Sequence, residues 1–299
     1  PAPEMPAAAD LQRNFPPGSE WLYAKIYCGP KWMDKLLLKE LLPLVRHFQA
    51  QQLMDQWFFI RFQDPGHHIR IRFHLPQYPQ SSNVVMQQVK NALAPYLEND
   101  TVQQIQFDTY TRELERYGAG AMELSENFFF HDSEAVIVLL SVIPGGETTD
   151  RWLLALKGAD DLLRDFGYTL PMKLQLLEQL QRQFFAEHHG DAALLLQLNN
   201  KYREHTRLIA GILSGNVNGH TLFAGVEKIL EARAAANREI FSKLPGIQTS
   251  VAASLLPHYL HMFLNRMFTA NARLHELVIY HYLMKYYTSQ VARGKGISR

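Results

Sequence analysis

Arg70 and Arg72 stand two residues apart in the run His68-Ile69-Arg70-Ile71-Arg72-Phe73. Side chains of an extended strand alternate between faces, so both guanidinium groups point one way while Ile69, Ile71 and Phe73 point the other. Like charges so placed repel, and an anion is expected to meet them. Guanidinium groups bind carboxylates through paired N–H donors, so carboxylate recognition is the chemistry these two residues suggest. A second chemical group is His261, four residues before Asn265 and therefore on the same helical face, with His258 one turn earlier. Histidine titrates near neutrality and can give or take a proton. No metal is assigned: there is no HExxH spacing, no cysteine cluster and no obvious third carboxylate ligand. The neighbours His67-His68 and His188-His189 are weaker candidates, because adjacent residues point in different directions.

These groups need elements to hold them. Strand-forming runs at 57–62 and 68–74 flank Asp64-Pro65-Gly66, a turn signal, and together predict a β-hairpin. A strand at 21–27, helices at 32–50 and 82–97 and a strand at 103–111 complete a β-α-β-β-α-β order, the split-βαβ or ferredoxin-like pattern. Leu22, Ala24 and Ile26 share one face of the first strand. If the crossover helices cover that aliphatic face, the other gathers Tyr23, Lys25, Tyr27, Arg70, Arg72, Tyr110 and Arg112. Arg61 has the parity to join them if the hairpin register allows it. From about Leu124 the periodicity is helical, with breaks at Pro144-Gly145-Gly146, Gly167, Gly190, Ser214-Gly215-Asn216 and Pro245-Gly246.

The expected fold is α+β: an N-terminal β-α-β-β-α-β (ferredoxin-like) sheet unit packed on a mostly α-helical C-terminal half, which would act as its lid. The boundaries read as 1–19 for a flexible proline- and alanine-rich lead-in, 20–118 for the sheet unit and 119–299 for the helical region that completes one domain. A structural account of the arginines competes with the functional one, since Asp64, Asp108, Glu113, Glu115 and Glu123 are available as ion-pair partners.

Composition narrows the classes. The 299 residues carry 47% hydrophobic and 11% aromatic side chains, enough for a proper core. The formal charge of +1 gives no global drive toward nucleic acid, so any anion site must be local. One cysteine, Cys28, excludes an internal disulfide and fits a reducing compartment. No apolar run reaches the ~18–20 residues of a membrane span and no signal peptide opens the chain, which reads as cytoplasmic. Walker, Rossmann and nucleophile-elbow signatures are missing.

Five segments in order then carry a family resemblance: Pro17-Gly18-Ser19-Glu20-Trp21-Leu22-Tyr23-Ala24-Lys25-Ile26-Tyr27; Phe59-Ile60-Arg61-Phe62 through Asp64-Pro65 to Phe73; Glu113-Leu114-Glu115-Arg116-Tyr117-Gly118; Asp132-Ser133; and His261-Met262 with Asn265-Arg266. Together, from about Phe15 to Ser289, they resemble the C-terminal glutamate-elimination domain of lantibiotic dehydratases, also called the thiopeptide-type bacteriocin biosynthesis domain. The large glutamylation domain that precedes this region in full-length dehydratases is missing, so the chain resembles a stand-alone elimination subunit or an excised domain. Ala119 and Phe263 depart from the family pattern.

The resemblance implies a carbon–oxygen lyase. A serine or threonine of a precursor peptide is esterified with glutamate from glutamyl-tRNA, and this domain eliminates the glutamate to leave dehydroalanine or dehydrobutyrine. Carried over by motif, Arg70, Arg72 and Arg112 would bind the glutamyl carboxylates and the developing charge, while His261 would handle a proton, as base or as an electrostatic group. Asn265 and Arg266 follow His261 in the motif and are added as substrate-binding residues; Tyr23, Lys25, Arg61 and Tyr110 are added from strand parity. No cofactor is implied. The implied partners are the glutamylated precursor peptide and a separate glutamylation subunit that uses glutamyl-tRNA, with no direct nucleic-acid binding here and a homodimer left open. Relatives in thiopeptide pathways instead join two dehydroalanines in a formal [4+2] cycloaddition that forms a pyridine. A third class, a non-catalytic peptide- or RNA-binding module, has less support, because the RNP1 order is absent from Arg70-Ile71-Arg72-Phe73.

Overall fold

The computed structural model describes residues 11–143, 148–215, 225–243 and 250–297. They divide into two compact units after Ser141, with Ser242 and Lys243 returning to the first.

The first unit runs β1 (Asn14–Phe15), β2 (Trp21–Cys28), α1 (Pro30–Leu36), α2 (Leu42–Ala50), β3 (Gln56–Gln63), β4 (His67–His74), α3 (Gln80–Glu98), β5 (Val102–Asp108), β6 (Tyr110–Thr111), α4 (Leu114–Tyr117) and α5 (Met122–Ser141). A π-helical turn, Leu37–Leu41, joins α1 to α2. Pro43 has no N–H to return to the preceding turn, and the wider turn absorbs that loss. The four-stranded sheet has the order β3-β4-β2-β5, and every pairing is antiparallel.

Cross-strand register sorts the faces. Leu22 lies opposite Phe73, Ala24 opposite Ile71 and Ile26 opposite Ile69, and Phe59 extends the row beside Ile71. All are fully buried, together with Met33, Leu36, Phe48, Val85, Val89 and Leu93 of the crossover helices. Phe48 meets Phe73 edge to face at 5.9 Å. Each such side chain contributes about 1.5–3 kcal/mol on leaving water, which pins the register, since a one-residue slip would expose the whole set. Helix α5 covers the β3 edge: the Phe59 N–H donates to Ser133 Oγ at 3.3 Å and Trp57 Nε1 donates to Glu134 at 2.6 Å.

Two expectations are corrected here. The strand expected over 103–111 breaks at Thr109, and β6 pairs with β1 in a separate two-stranded ladder. The lead-in is therefore part of the fold from residue 13 onward. Phe15 is fully buried and stacks on Tyr110 at 5.8 Å, and Arg13 O accepts the Arg112 N–H at 2.9 Å. One buried aromatic with a backbone ladder outweighs the flexibility that flanking prolines suggest. Residues 1–10 lie outside the described set.

In the second unit the described elements are all helical: α6 (Thr148–Asp165), α7 (Leu170–Glu187), α8 (Ala192–Leu213), α9 (Val226–Lys243), α10 (Ser250–Met267) and α11 (Ala272–Ile297). The breaks at Gly167 (φ +71°), Gly190 and Ser214-Gly215 fall between helices. Those at 144–146, Asn216 and Pro245-Gly246 lie outside the described residues. Phe263 is wholly buried, with its ring so close to Gly158 that a Cβ there would sit 2.3 Å from Cζ. Phe263 therefore serves helix packing. Among the described residues no helix is long and apolar enough to cross a membrane.

Candidate functional site

Tyr23 lies opposite Arg72 and Lys25 opposite Arg70 on the second face of the sheet, because β2 and β4 pair in that register. Arg72 is 8% exposed. Its guanidinium carbon lies 4.4 Å from the Tyr23 ring centre, 4.9 Å from Tyr110 and 5.0 Å from Phe58. Neither Nε nor Nη1 has a hydrogen-bond partner among the described residues. Each cation–π contact returns about 0.5–2 kcal/mol. Burying a charge costs several kcal/mol even after relaxation, so three rings leave this cation under-compensated. An anion delivered to Nε and Nη1 would complete it.

Arg70 is held differently. Its Nε donates to His68 Nε2 at 2.9 Å, while His68 Nδ1 meets Gly66 O at 2.9 Å, an arrangement that puts the proton of a neutral ring on Nδ1. Burial lowers the His68 pKa and keeps that ring neutral. The Arg70 guanidinium also lies over Phe62 at 3.4 Å and remains half-buried.

The remaining sheet candidates are already engaged. Lys25 donates to Asp108 at 2.5 Å, and this bond, followed by the Thr109 N–H, draws the Asp108 pKa down. Arg112 forks onto Glu126 at 2.8 and 2.7 Å and donates through Nη1 to Gln12 O at 3.0 Å. Burial opposes the Arg112 charge, but Glu126 outweighs it and the guanidinium pKa rises. Tyr110 donates to Glu126 at 2.7 Å, and burial, then the Glu126 charge, push its pKa far up. The sequence points to Asp64, Asp108, Glu113, Glu115 and Glu123 as acids for these cations. The one that holds Arg112 is Glu126, with Glu123 at 3.6 Å on the preceding turn. A lone carboxylate among Met122, Ser125, Phe128 and Phe129, all buried, is the signal that would have found it.

Arg61 leaves the set. It pairs in register with Ile69 rather than with an arginine, so it points to the helix-covered face, where it meets Asp34 of α1 at 2.7 Å. The sheet unit thus brings Tyr23, Tyr110 and Arg72 together, sets Arg70 two residues along, and links Arg112 to Tyr110 through Glu126.

In the second unit His261 on α10 faces α11. Its Nδ1 lies 2.8 Å from Glu276 Oε1, and Glu276 is fully buried. Tyr280 OH donates to the other carboxylate oxygen at 3.2 Å, and Arg273 Nη1 lies 3.7 Å from Oε1 while its Nε and Nη2 hold Glu187. The imidazole itself is 27% exposed. Arg266 is fully buried and Asn265 half-buried. His281 is also buried, with neither ring nitrogen hydrogen-bonded among the described residues, and burial, then Lys285, pull its pKa to about 4. Glu276 is the second residue that motif spacing does not reveal, because it lies on the next helix. Its signal is an isolated acid before the apolar run Leu277-Val278-Ile279-Tyr280.

The chain is 25% identical over 276 residues to the subtilin biosynthesis protein SpaB of Bacillus subtilis, an alignment covering 88% of this chain and 25% of SpaB. Its fold is similar to that of the tRNA-dependent lantibiotic dehydratase MibB from Microbispora sp. 107891, with TM-score 0.71, 21% identity, and 92% of this chain and 28% of that one covered. It is also similar to the pyridine synthase TbtD from thiomuracin biosynthesis, with TM-score 0.64, 15% identity, and 91% and 98% of the two chains covered. The chain therefore spans about a quarter of the length of SpaB and of MibB. The sequence profile of the lantibiotic biosynthesis dehydratase C-terminal region matches residues 21–287, and the chain belongs to that family.

Proposed function

We propose that this chain eliminates glutamate from glutamylated serine or threonine in a ribosomally made precursor peptide, giving dehydroalanine or dehydrobutyrine. The observation that carries the reading is Arg72, a buried cation with aromatic neighbours and two N–H-bearing nitrogens without an acceptor among the described residues. The reaction must remove a weakly acidic Cα proton, bear enolate-like charge and release a carboxylate. A fixed guanidinium in a dry setting addresses the last two, and one such donor typically accounts for about 10²–10³ in rate. Arg72 is the principal carboxylate ligand in this reading and Arg70 a secondary one. Arg112 acts mainly by fixing Tyr110 and Glu126. His261 is the proton-handling group, while Asn265 and Arg266 support its helix. The β-α-β-β-α-β unit serves as a ferredoxin-like scaffold whose strand alternation aims the cations. The chemistry calls for no cofactor, and the substrate would come from a glutamylating partner that uses glutamyl-tRNA.

One observation favours a second reading. The Arg112 fork is committed to Glu126, which leaves fewer guanidinium groups for a dicarboxylate, and the pyridine-forming cycloaddition needs fewer. Mass spectrometry separates the two. A peptide with a defined glutamylated serine, incubated with the protein, should lose glutamate and leave the dehydro residue, and Arg72→Ala and His261→Ala should not convert it. An unchanged ester would overturn elimination, and conversion of a bis-dehydroalanine peptide would then establish cycloaddition.

A further inference from the structure

We infer that Glu276 is a positioning residue: it holds the Nδ1–H of His261, so that Nε2 presents the lone pair that accepts the Cα proton. This rests on the elimination reading above and assigns the role of base within it.

The argument begins from the carboxylate. Glu276 is fully buried, and a buried charge persists only when donors surround it. His261 Nδ1 faces one oxygen at 2.8 Å and Tyr280 OH donates to the other at 3.2 Å, with the Arg273 cation at 3.7 Å. A carboxylate can only accept, so the imidazole nitrogen that faces it must carry hydrogen. In a neutral ring the other nitrogen then has none. His261 Nε2 makes no hydrogen bond among the described residues, and the ring is 27% exposed, so a substrate can reach it.

The frame around the pair is fixed. Arg151 Nη1 donates to Met267 O at 2.6 Å at the end of α10, and His275 stacks on Phe268 at 3.9 Å with the rings 2° from parallel. These contacts lock the turn between α10 and α11, and with it the His261–Glu276 distance. Both partner roles follow from sequence neighbours: Glu276 and Tyr280 are four apart on one helical face.

The step balances without a co-reactant. His261 Nε2 takes the Cα proton, the C–H electron pair becomes the Cα=Cβ double bond, and the Cβ–O bond breaks. Glutamate departs as a carboxylate with the electron pair of the broken Cβ–O bond. The imidazolium, paired with Glu276, returns its proton to water.

The test reads the tautomer before the rate. In histidine-labelled protein without substrate, ¹⁵N NMR of the neutral ring should show His261 with Nδ1 protonated and Nε2 bare, the resonances being identified by their loss in His261→Ala. Glu276→Gln should reverse or mix that pattern and lower kcat about 100-fold with KM within about twofold, the size of a lost general-base contribution. Glu276→Asp should recover part of both. A wild-type His261 protonated on Nε2 overturns the inference whatever the activity and whether or not the variants fold. So does a Glu276→Gln protein whose tautomer changes while kcat does not. If the tautomer behaves as expected but the wild type eliminates nothing, the elimination reading fails and the positioning of His261 stands.

Discussion

The sheet face and the α10–α11 pair hold their chemical groups in opposite ways. Arg72 is surrounded by three rings with no acid in hydrogen-bonding range among the described residues, whereas His261 is backed by a buried carboxylate. The first arrangement leaves charge uncompensated and suits binding an anion. The second fixes a tautomer and compensates the charge a proton brings, which suits transfer. A similar contrast exists within the sheet unit, where Arg112 has what Arg72 lacks, a carboxylate engaged through both oxygens. Two arginines of one chain, both buried, are thus assigned to different tasks by one neighbouring helix.

Substitution by methionine should separate the two arginines most strongly. Arg112→Met leaves Glu126, 2% exposed, without its cation, and breaking a buried pair from one side costs about 3–5 kcal/mol. Urea denaturation should show that loss, and Arg112→Met with Glu126→Met should recover most of it. Arg72→Met removes a buried charge that no acid balances, so the same denaturation should show no loss of stability, because no uncompensated partner is left behind. Its effect belongs to catalysis: elimination kcat/KM should fall about 10²–10³-fold, or about 2.7–4 kcal/mol. If Arg72→Met unfolds the protein as readily as Arg112→Met, Arg72 has a structural partner and the contrast collapses.

The sheet was legible because a strand has a period of two. Arg70 and Arg72 advertise a shared face, and Leu22, Ala24 and Ile26 advertise the opposite one, within a few residues of chain. Parity leaves the face of Arg61 open, because it depends on which β4 residue Arg61 opposes, and the hairpin register sets that partner as Ile69. Helical partners are harder. Glu126 reaches Arg112 from a separate helix 14 residues away, and Glu276 reaches His261 across a turn 15 residues on. Both acids are buried on helices that run beside their partners' elements, and helical periodicity marks a buried position but does not name the partner. The α+β class and the helix breaks at Gly167 and Gly190 follow from short-range signals. Proline content misleads at Phe15, where one ring packs into the fold.

A second histidine sharpens the comparison at smaller scale. His281 is buried like Glu276 but has no carboxylate partner among the described residues, and its pKa falls from the ordinary 6.5 to about 4. The unfolded chain therefore binds this proton first as pH drops. Stability is complete above about pH 6.5 and is lost progressively as pH falls toward 4. The linkage for such a shift is roughly 3 kcal/mol, reduced to about 2 for water that reaches the ring. Thermal melts between those limits should show the wild type losing stability and His281→Phe losing less. Equal losses in both would place the acid sensitivity elsewhere.

The smallest effect tests whether Lys25 belongs with the anion-binding cations or with the engaged ones. Its partner Asp108 is 37% exposed at the side chain, so the bond is worth less than about 1 kcal/mol, and Asp108→Asn should lower urea stability by no more than that. Lys25 and the Thr109 N–H depress the Asp108 pKa, so this contribution is present above the ordinary carboxylate value and is lost as pH falls through the depressed one. The informative readout is KM for the glutamylated peptide. Asp108→Asn releases Lys25 on the same face as Arg72, and with Lys25 acting only as structure KM stays within twofold of about its wild-type value. A clear fall in KM would show that the released ammonium reaches the substrate carboxylates, and the sheet would then hold one cation ready for binding and another kept in reserve by a single acid.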